Sequence, residues 1–284
     1  MPDVGRLGAW LSTRNWPDDR AAVAELAGGL EAAGFDAVWI GGAHGDLVLA
    51  EQILAATASL TVATGIVNVW RYPADEVAAS HARVTARHPG RLLLGVGVGH
   101  APLVEGYDRP LTKLERYLDE LDAAPDPVPR PERAVAALRP RSLAIAADRA
   151  RGAHPYLVPP EHTAEARALL GPDPLLAPEQ KVFLGTDKAE ARRVGREALS
   201  VYLELPNYLN NLRHLGFGDH DLSGGGSDRL VDRLVAWGSD ADVRARIDAH
   251  RDAGADHVAI QLVSGGRSSP VDLPTWSRLA ELLR

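Results

Sequence analysis

Apolar and polar residues alternate along the chain in two patterns, one typical of strands and the other of helices. Short apolar runs predict eight strands, over 7–11, 35–40, 61–68, 89–100, 134–138, 152–158, 175–184 and 257–263. Apolar residues at helical spacing predict helices between them, among them 189–205 and 273–283. Such alternation predicts a parallel sheet with right-handed crossovers. We therefore predict a (β/α)8 TIM barrel in one domain, residues 1–284, with an insertion at 207–237 that holds two short helices.

Residues 89–100, PGRLLLGVGVGH, are the most distinctive stretch. The three leucines form a run typical of a strand buried on both faces, and Gly95, Gly97 and Gly99 follow at alternate positions. Such glycines leave one face of the strand end without side chains, which suits a flat ligand. Close packing inside a narrow barrel explains them as well, and the stretch alone favours packing. The spacing GxGxG lacks the third glycine of a dinucleotide fingerprint.

Composition excludes several classes of function. The formal net charge of -7 argues against nucleic acid as a partner, because binding to its backbone needs a basic face. The chain has no cysteine, which excludes disulfides and thiolate chemistry. The N-terminus lacks the pattern of a signal peptide, and no apolar run reaches membrane-spanning length. We therefore expect a cytoplasmic protein that binds neither nucleic acid nor membranes.

In a barrel of this kind the chemistry lies where strands run into helices. The positions expected there include Trp10, Gly41 to His44, Gly65 to Arg71, Pro155 to Tyr156, Glu179 to Gln180 and Gln261. Among them we find no HExxH motif, no Walker loop and no carboxylate cluster at metal spacing, so we expect no metal. A Ser–His–acid set stays open. These patterns alone predict a barrel enzyme without specifying its reaction.

Four segments resemble the bacterial luciferase-like superfamily: GFDAVWI (34–40), ATGIVN (63–68), HPGRLLLGVGVGH (88–100) and APEQ (177–180). They look most like the branch that uses the 8-hydroxy-5-deazaflavin coenzyme F420, although relatives that use FMN share the same barrel. The resemblance implies an oxidoreductase that transfers hydride between F420 and a small organic substrate, and family members are often homodimers. An FMN-dependent monooxygenase is the alternative within the family.

The resemblance also implies where the cofactor ring binds. Family members carry a non-prolyl cis peptide at the end of the third strand, which falls here on Gly65-Ile66. We expect this bulge, with Asn68 beside it, to press against the middle ring of the cofactor. An ordinary strand end with a glycine for packing is the competing interpretation. The cofactor's tail and hydroxyl groups are expected at the fourth strand end, at Val98, Gly99 and His100.

A phosphate site is implied at the fifth strand end, at Ala137, Leu138 and Arg139. The family commonly has two glycines there, and this chain has Leu138 and Arg139 instead. A helix N-terminus still binds phosphate through its amides, and Arg139 adds a positive charge. The Tyr156 hydroxyl is expected to reach the same phosphate, unless its ring is a core aromatic at the barrel rim. Arg71, Arg139 and Arg141 are expected on one face, where they offset the acidic tail of F420.

The acid–base group is the least determined part of the site. Many relatives have a carboxylate followed by a histidine after the second strand, where this chain has Gly42 and Ala43, with His44 one residue later. His44 and Glu179 are the candidates for the acid or base. A solvated loop histidine and a helix-capping glutamate are their ordinary alternatives. Because this chain lacks the carboxylate–histidine pair, a non-catalytic flavin-binding relative is a further alternative.

Overall fold

The computed structural model describes residues 1–265 and 272–284. In these ranges the strands are β1 (Leu7–Ser12), β2 (Ala37–Gly41), β3 (Thr61–Thr64), β4 (Val67–Asn68), β5 (Leu92–Gly97), β6 (Arg133–Val135), β7 (Gly152–Ala153), β8 (Leu175–Leu176), β9 (Glu179–Val182), β10 (Val235–Ala236) and β11 (Val258–Leu262). The helices are α1 (Arg20–Ala33), α2 (Val48–Ala56), α3 (Ala74–Arg87), α4 (Pro110–Ala123), α5 (Pro140–Arg149), α6 (Pro160–Leu170), α7 (Lys188–Leu199), α8 (Pro206–His214), α9 (Asp219–Leu222), α10 (Asp228–Leu234), α11 (Asp240–Asp252) and α12 (Leu273–Leu283).

The strands are parallel and form a ring in the order β9, β11, β1, β2, β3, β5, β6, β7 and β8. The ring closes through the segment that runs from β8 into β9. On one side the Ala177 amide donates to the Ala153 carbonyl at 3.0 Å, and on the other the Ala259 amide donates to the Pro178 carbonyl at 2.9 Å. β4 pairs with β5, and β10 pairs with the end of β9. The predicted (β/α)8 architecture is confirmed.

Two details of the chain differ from the prediction. The helix predicted over 189–205 is wrong at its C-terminal end, because α7 stops at Leu199 and a 3-10 turn, Tyr202–Glu204, follows. Pro206 disfavours a helical conformation at the residue before it, and Leu205 is extended with φ -104° and ψ 117°. The insertion holds three helices, α8 to α10, and the short strand β10 instead of two helices.

Local sequence signals set the ends of the helices that surround the ring. The Asp19 side chain accepts a hydrogen bond from the Ala22 amide at 2.9 Å and caps α1. Gly34 ends the same helix in the left-handed conformation, with φ 92°. The apolar face of α1, which includes Val23 and Leu30, is buried against the outside of the strand barrel. None of the described helices is long and apolar enough to cross a membrane.

The indole of Trp39 fills the interior of the barrel. Trp39 is fully buried and lies among small side chains, Ala37, Ala63, Ala134 and Ala259. Its indole stacks on His154 with ring centroids 4.0 Å apart, and its Nε1–H donates to His257 Nε2 at 2.9 Å. His257 in turn donates from Nδ1 to the Gly5 carbonyl at 3.1 Å. The interior is thus a packed core, and a ligand has to bind at the rim.

Candidate functional site

A cleft of about 550 Å³ opens at the C-terminal ends of β1, β9 and β11. We name it the α7–α12 cleft, because residues of these two helices form its sides. The wall is mainly apolar and includes Leu11, Phe183, Val194, Leu262 and Trp276. Polar groups also reach it, among them Tyr202 and Gln261. Its place at the C-terminal face is where barrels of this class bind their ligands.

A buried ion pair lies next to this cleft. Glu179 and Lys181 are two residues apart on β9 and therefore point to the same side of the strand. Both side chains are only 1% exposed, and Lys181 Nζ lies 3.0 Å from Glu179 Oε1. The other Glu179 oxygen accepts the Leu157 amide at 3.2 Å. Burial raises the pKa of Glu179 and lowers the pKa of Lys181, and each partner opposes the shift of the other.

A chain of hydroxyl groups leads from the ion pair to the cleft. Lys181 Nζ donates to the Tyr156 hydroxyl at 2.9 Å and to Gln261 Oε1 at 3.1 Å. The Tyr156 hydroxyl lies 2.8 Å from Gln261 Oε1 and 2.7 Å from the Tyr202 hydroxyl. Burial raises the pKa of Tyr202 to about 12, so its hydroxyl stays protonated at neutral pH. The predicted phosphate role of Tyr156 stays untested, but here its hydroxyl has three protein partners.

The surface predicted for the cofactor ring follows β3 and lies next to Trp10, which also lines the cleft. The Gly65-Ile66 peptide is cis, as predicted, and both residues are half-buried. The alternating glycines serve close packing, because a Cβ atom on Gly95 would lie 1.8 Å from the Thr64 carbonyl oxygen and one on Gly99 would lie 2.4 Å from Asn68 Nδ2. The packing interpretation of these two glycines is therefore the better one.

Two buried nitrogen atoms without partners face Gly65. Trp10 Nε1 and His154 Nε2 have no hydrogen-bond partner in the described ranges. They lie 3.0 Å and 3.2 Å from the position that a Cβ atom on Gly65 would take. His154 donates from Nδ1 to the Ala177 carbonyl at 2.6 Å, and burial lowers its pKa to about 4, so Nε2 carries no proton. The two atoms together suit a group that both accepts and donates, such as a hydroxyl.

The insertion covers part of the surface predicted for the tail. The Asn207 side chain donates to the Gly99 carbonyl at 3.1 Å, and the Tyr208 ring lies 5.0 Å from the His100 ring, centroid to centroid. Val98, Gly99 and His100 stay half-buried. His100 Nδ1 is buried and unpartnered within the described residues. Burial also lowers the pKa of His100, which keeps its ring neutral.

The predicted phosphate site already has an acceptor of its own. The amides of Leu138 and Arg139 donate to Ser142 Oγ at 3.3 Å and 3.2 Å. Ala137 is buried, whereas Arg139 is exposed at the start of α5, together with Arg141. A phosphate bound to these amides has to displace the Ser142 hydroxyl. The residues present therefore fit a cofactor ring at Gly65 better than they fit a phosphate at Leu138.

The two candidates for acid–base chemistry are not brought together. His44 is exposed on the loop after β2, where it lines a different pocket with Trp16 and faces the Tyr72 ring at 6.3 Å. Glu179 is buried in its ion pair and shares no described contact with His44. Among the described residues no group of histidines and carboxylates has the arrangement of a metal site.

Three residues that contribute to the site were missed at the level of sequence. Lys181 follows Glu179 at strand spacing, and two opposite charges in a buried strand were a signal for an ion pair. Tyr202 was placed near the C-terminal end of the long helix predicted over 189–205, which hid its position at the rim. His154 was not singled out, because nothing in the pattern shows that its strand turns this side chain toward the barrel interior.

Comparison with known proteins supports this architecture. The family model of luciferase-like monooxygenases matches residues 3–121. This match confirms the resemblance seen in the sequence and covers β1 to β5, including the Gly65-Ile66 bulge. No curated protein matches the sequence.

Solved structures with the same fold span the whole chain. An F420-dependent secondary alcohol dehydrogenase in complex with an F420–acetone adduct is 14% identical, covers 100% of both chains and has a TM-score of 0.73. An F420-dependent tetrahydromethanopterin reductase from Methanopyrus kandleri is 15% identical over 99% of this chain and 97% of its own, with a TM-score of 0.70. An FMN complex of a Baeyer–Villiger monooxygenase from Pseudomonas putida is 16% identical over 99% and 97%, with a TM-score of 0.66. These likenesses show the fold.

Proposed function

Because the chain matches the luciferase-like monooxygenase family over residues 3–121, we propose that it is an oxidoreductase with a flavin-type cofactor, coenzyme F420 in preference to FMN. Its substrate is a small organic molecule that exchanges a hydride with the cofactor. The observation that carries the proposal is the surface at Gly65 and Ile66. It is half-buried at the barrel mouth and faces two buried nitrogens that have no hydrogen-bond partner among residues 1–265 and 272–284.

The residues at this surface hold and orient the ring. Gly65 and Ile66 support one face, and Trp10 and His154 offer hydrogen bonds to a polar group beside it. When bound, the cofactor supplies the two-electron chemistry, and the protein supplies position and surroundings.

The preference for F420 rests mainly on the resemblance of the sequence segments, and the arginines at the loops of the C-terminal face support it. Arg71, Arg139 and Arg141 are all exposed there. F420 carries a longer and more acidic tail than FMN, and these charges offset it in a protein of net charge -7. The full-length likeness to F420-dependent enzymes agrees with this preference.

An FMN-dependent monooxygenase is the second candidate. The likeness to the FMN complex of the Baeyer–Villiger monooxygenase supports it, since 99% of this chain is covered. The Ser142 hydroxyl accepts from the amides of the predicted phosphate site and would compete with the phosphate of either cofactor. It therefore favours neither cofactor.

Equilibrium binding of F420 and FMN to one preparation of the cofactor-free protein tests the proposal. We expect tighter binding of F420 and little oxygen uptake when the bound cofactor is reduced. Tighter binding of FMN, with oxygen uptake after reduction, moves the assignment to a monooxygenase. If neither binds, the non-catalytic alternative replaces both.

A further inference from the structure

The Lys181 ammonium, next to the α7–α12 cleft, is surrounded by three oxygen atoms. Its Nζ lies 3.0 Å from Glu179 Oε1, 2.9 Å from the Tyr156 hydroxyl and 3.1 Å from Gln261 Oε1. An ammonium group has three protons and no acceptor, so each of these contacts takes one of its protons. All three oxygens therefore act as acceptors toward Lys181, and this fixes the direction of the hydrogen bonds around them.

The same contacts fix the orientation of the Gln261 side chain. Because Lys181 can only donate, the Gln261 atom that faces it has to be Oε1. Oε1 also accepts the single proton of the Tyr156 hydroxyl, at 2.8 Å. The NH2 group is on the other branch of the amide and donates to no group in the described ranges. Gln261 lines the cleft, so this NH2 group is a donor available to a ligand there.

Tyr202 offers the cleft an acceptor and no proton. The Tyr156 hydroxyl donates its one proton to Gln261, so in its 2.7 Å contact with the Tyr202 hydroxyl it has to accept. Tyr202 therefore donates to Tyr156. No side chain within 1–265 or 272–284 donates to the Tyr202 oxygen, which keeps a lone pair for a further hydrogen bond. Tyr202 lines the cleft together with Gln261.

The Gln261 donor and the Tyr202 acceptor are neighbours, because both side chains are bonded to the same Tyr156 hydroxyl. A ligand that satisfies both carries a donor beside an acceptor. Primary carboxamides and lactams have this arrangement, with an N–H and a C=O on the same side of one planar group. A ketone or an ester has no proton for Tyr202, and an alcohol has to serve both partners through a single atom.

The rest of the cleft favours an uncharged ligand with an apolar part. Among the described residues, the buried side chains of its wall are all apolar: Trp10, Leu11, Val194, Val263 and Trp276. Its charged side chains are exposed: Arg14, Glu197 and Asp272. A charged ligand loses its hydration against the apolar wall, whereas an apolar chain or ring gains from burial there. The volume of about 550 Å³ has room for such a chain beside the polar group.

We propose that the α7–α12 cleft binds an uncharged carboxamide, a primary amide or a lactam, that carries an apolar chain or ring. Its N–H donates to the Tyr202 oxygen, its C=O accepts from the Gln261 NH2 group, and its apolar part lies on the wall. The Trp10 indole lies between this cleft and Gly65, so the site is separate from the surface proposed for the cofactor ring. Binding there goes beyond the proposed function and needs no cofactor.

Octanamide and 2-nonanone are a matched pair of probes, because the NH2 group of the first replaces a methyl group of the second. Both have an oxygen for Gln261, but only octanamide has a proton for Tyr202. Isothermal titration calorimetry on the full-length protein without cofactor measures both affinities. Water solvates the amide more strongly than the ketone, so each ligand is compared between protein variants and not with the other ligand.

Tyr202→Phe keeps the ring and removes the acceptor. We expect the affinity for octanamide to fall about fivefold, the effect of one hydrogen bond, and the affinity for 2-nonanone to stay within about twofold. With ¹⁵N-labelled octanamide, one amide proton resonance is expected to move downfield on binding to the unmodified protein but not to Tyr202→Phe. Gln261→Leu removes the donor to the ligand oxygen and is also expected to weaken octanamide binding about fivefold.

Tyr208→Phe is the matched control. Its ring packs on Tyr202 with centroids 5.3 Å apart, but its hydroxyl has no hydrogen-bond partner in the described part of the chain. We expect the same affinities and the same proton shift as in the unmodified protein.

Three results overturn the proposal, provided that circular dichroism shows folded protein. The first is that octanamide does not bind. The second is that Tyr202→Phe leaves octanamide binding unchanged or weakens 2-nonanone binding equally, since a change in the shape of the cleft affects both ligands. The third is a loss in Tyr202→Phe that appears with 1-octanol and not with octanamide. Because no cofactor is present, these results are separate from failure of the F420 and FMN titrations.

Discussion

The indole nitrogen of Trp10 lies 3.0 Å from the position that a Cβ atom on Gly65 would occupy. On its other side Trp10 packs on Tyr156 with ring centroids 5.2 Å apart, and it lines the α7–α12 cleft. One side chain thus lies between the proposed ring surface at Gly65 and the α7–α12 cleft.

Gly65→Ala is expected to weaken binding of a flavin-type cofactor and to destabilise the fold by about 1–3 kcal/mol. The added methyl lies 3.0 Å from Trp10 Nε1 and 3.2 Å from His154 Nε2, so both rings have to move. Urea unfolding and cofactor titration measure the two effects.

Gly28→Ala is the control, because nothing lies within 4 Å of its added methyl and it sits within α1. It is expected to stabilise the protein by about 0.5–1 kcal/mol. Equal cofactor affinity in Gly65→Ala and the unmodified protein would argue against this surface.

The Glu179–Lys181 pair makes a second prediction. Lys181→Met leaves a buried carboxylate without its partner, so we expect a loss of about 3–5 kcal/mol in the free energy of unfolding. Adding Glu179→Gln removes the unpaired charge and is expected to recover most of that loss. Chemical denaturation of the single and paired variants measures both. A paired variant as unstable as the single one would show that the cost comes from packing and not from charge.

The phosphate site predicted at Leu138 and Arg139 is tested by two substitutions. If the tail binds there, Arg139→Glu should weaken cofactor binding more than tenfold at low salt, because a repulsive charge replaces an attractive one. Ser142→Ala should strengthen binding, since it frees both amides from their present acceptor. Arg6→Glu makes the same charge change on an exposed residue just before β1, at the opposite face of the barrel. Equal affinities in all three variants would place the phosphate elsewhere, with Arg71 the next position to examine.

Periodicity was enough to predict the barrel, because each strand and helix carries its own apolar pattern. It failed at the end of α7: the apolar spacing of 189–205 continues past Leu199, where the helix stops. Pro206 accounts for the extended conformation of Leu205, and nothing in the structure explains the earlier stop at Leu199. The resemblance, and not the periodicity, placed the bulge at Gly65.

The site was harder to predict because its geometry joins distant parts of the chain. Glu179 was recognised from its strand end, but its partner and the link to Tyr202 depend on how the sheet places the ends of β7, β9 and β11 relative to one another. His44 was a candidate because it is a titratable loop residue, but in the described part of the chain its ring lies 6.3 Å from the Tyr72 ring and shares no contact with Glu179. The sequence shows which side chains are polar or titratable. Which of them lie close together depends on the register of the strands in the sheet.

The two buried histidines of the barrel interior predict how stability depends on pH. Burial lowers the pKa of both His154 and His257 to about 4. In the unfolded chain the same rings take up protons near their ordinary pKa of about 6.5. Between pH 6.5 and 4 the unfolded state therefore binds more protons, so stability is fully present above this window and is lost as the pH falls through it, by about 1.4 kcal/mol per pH unit for each ring. His257→Gln should flatten the fall of the urea midpoint between pH 7 and 5, although it weakens the bond to Trp39. His220→Gln, at an exposed histidine, should leave the slope unchanged. A midpoint that stays constant between pH 7 and 5 in the unmodified protein would mean that these rings take up protons without unfolding.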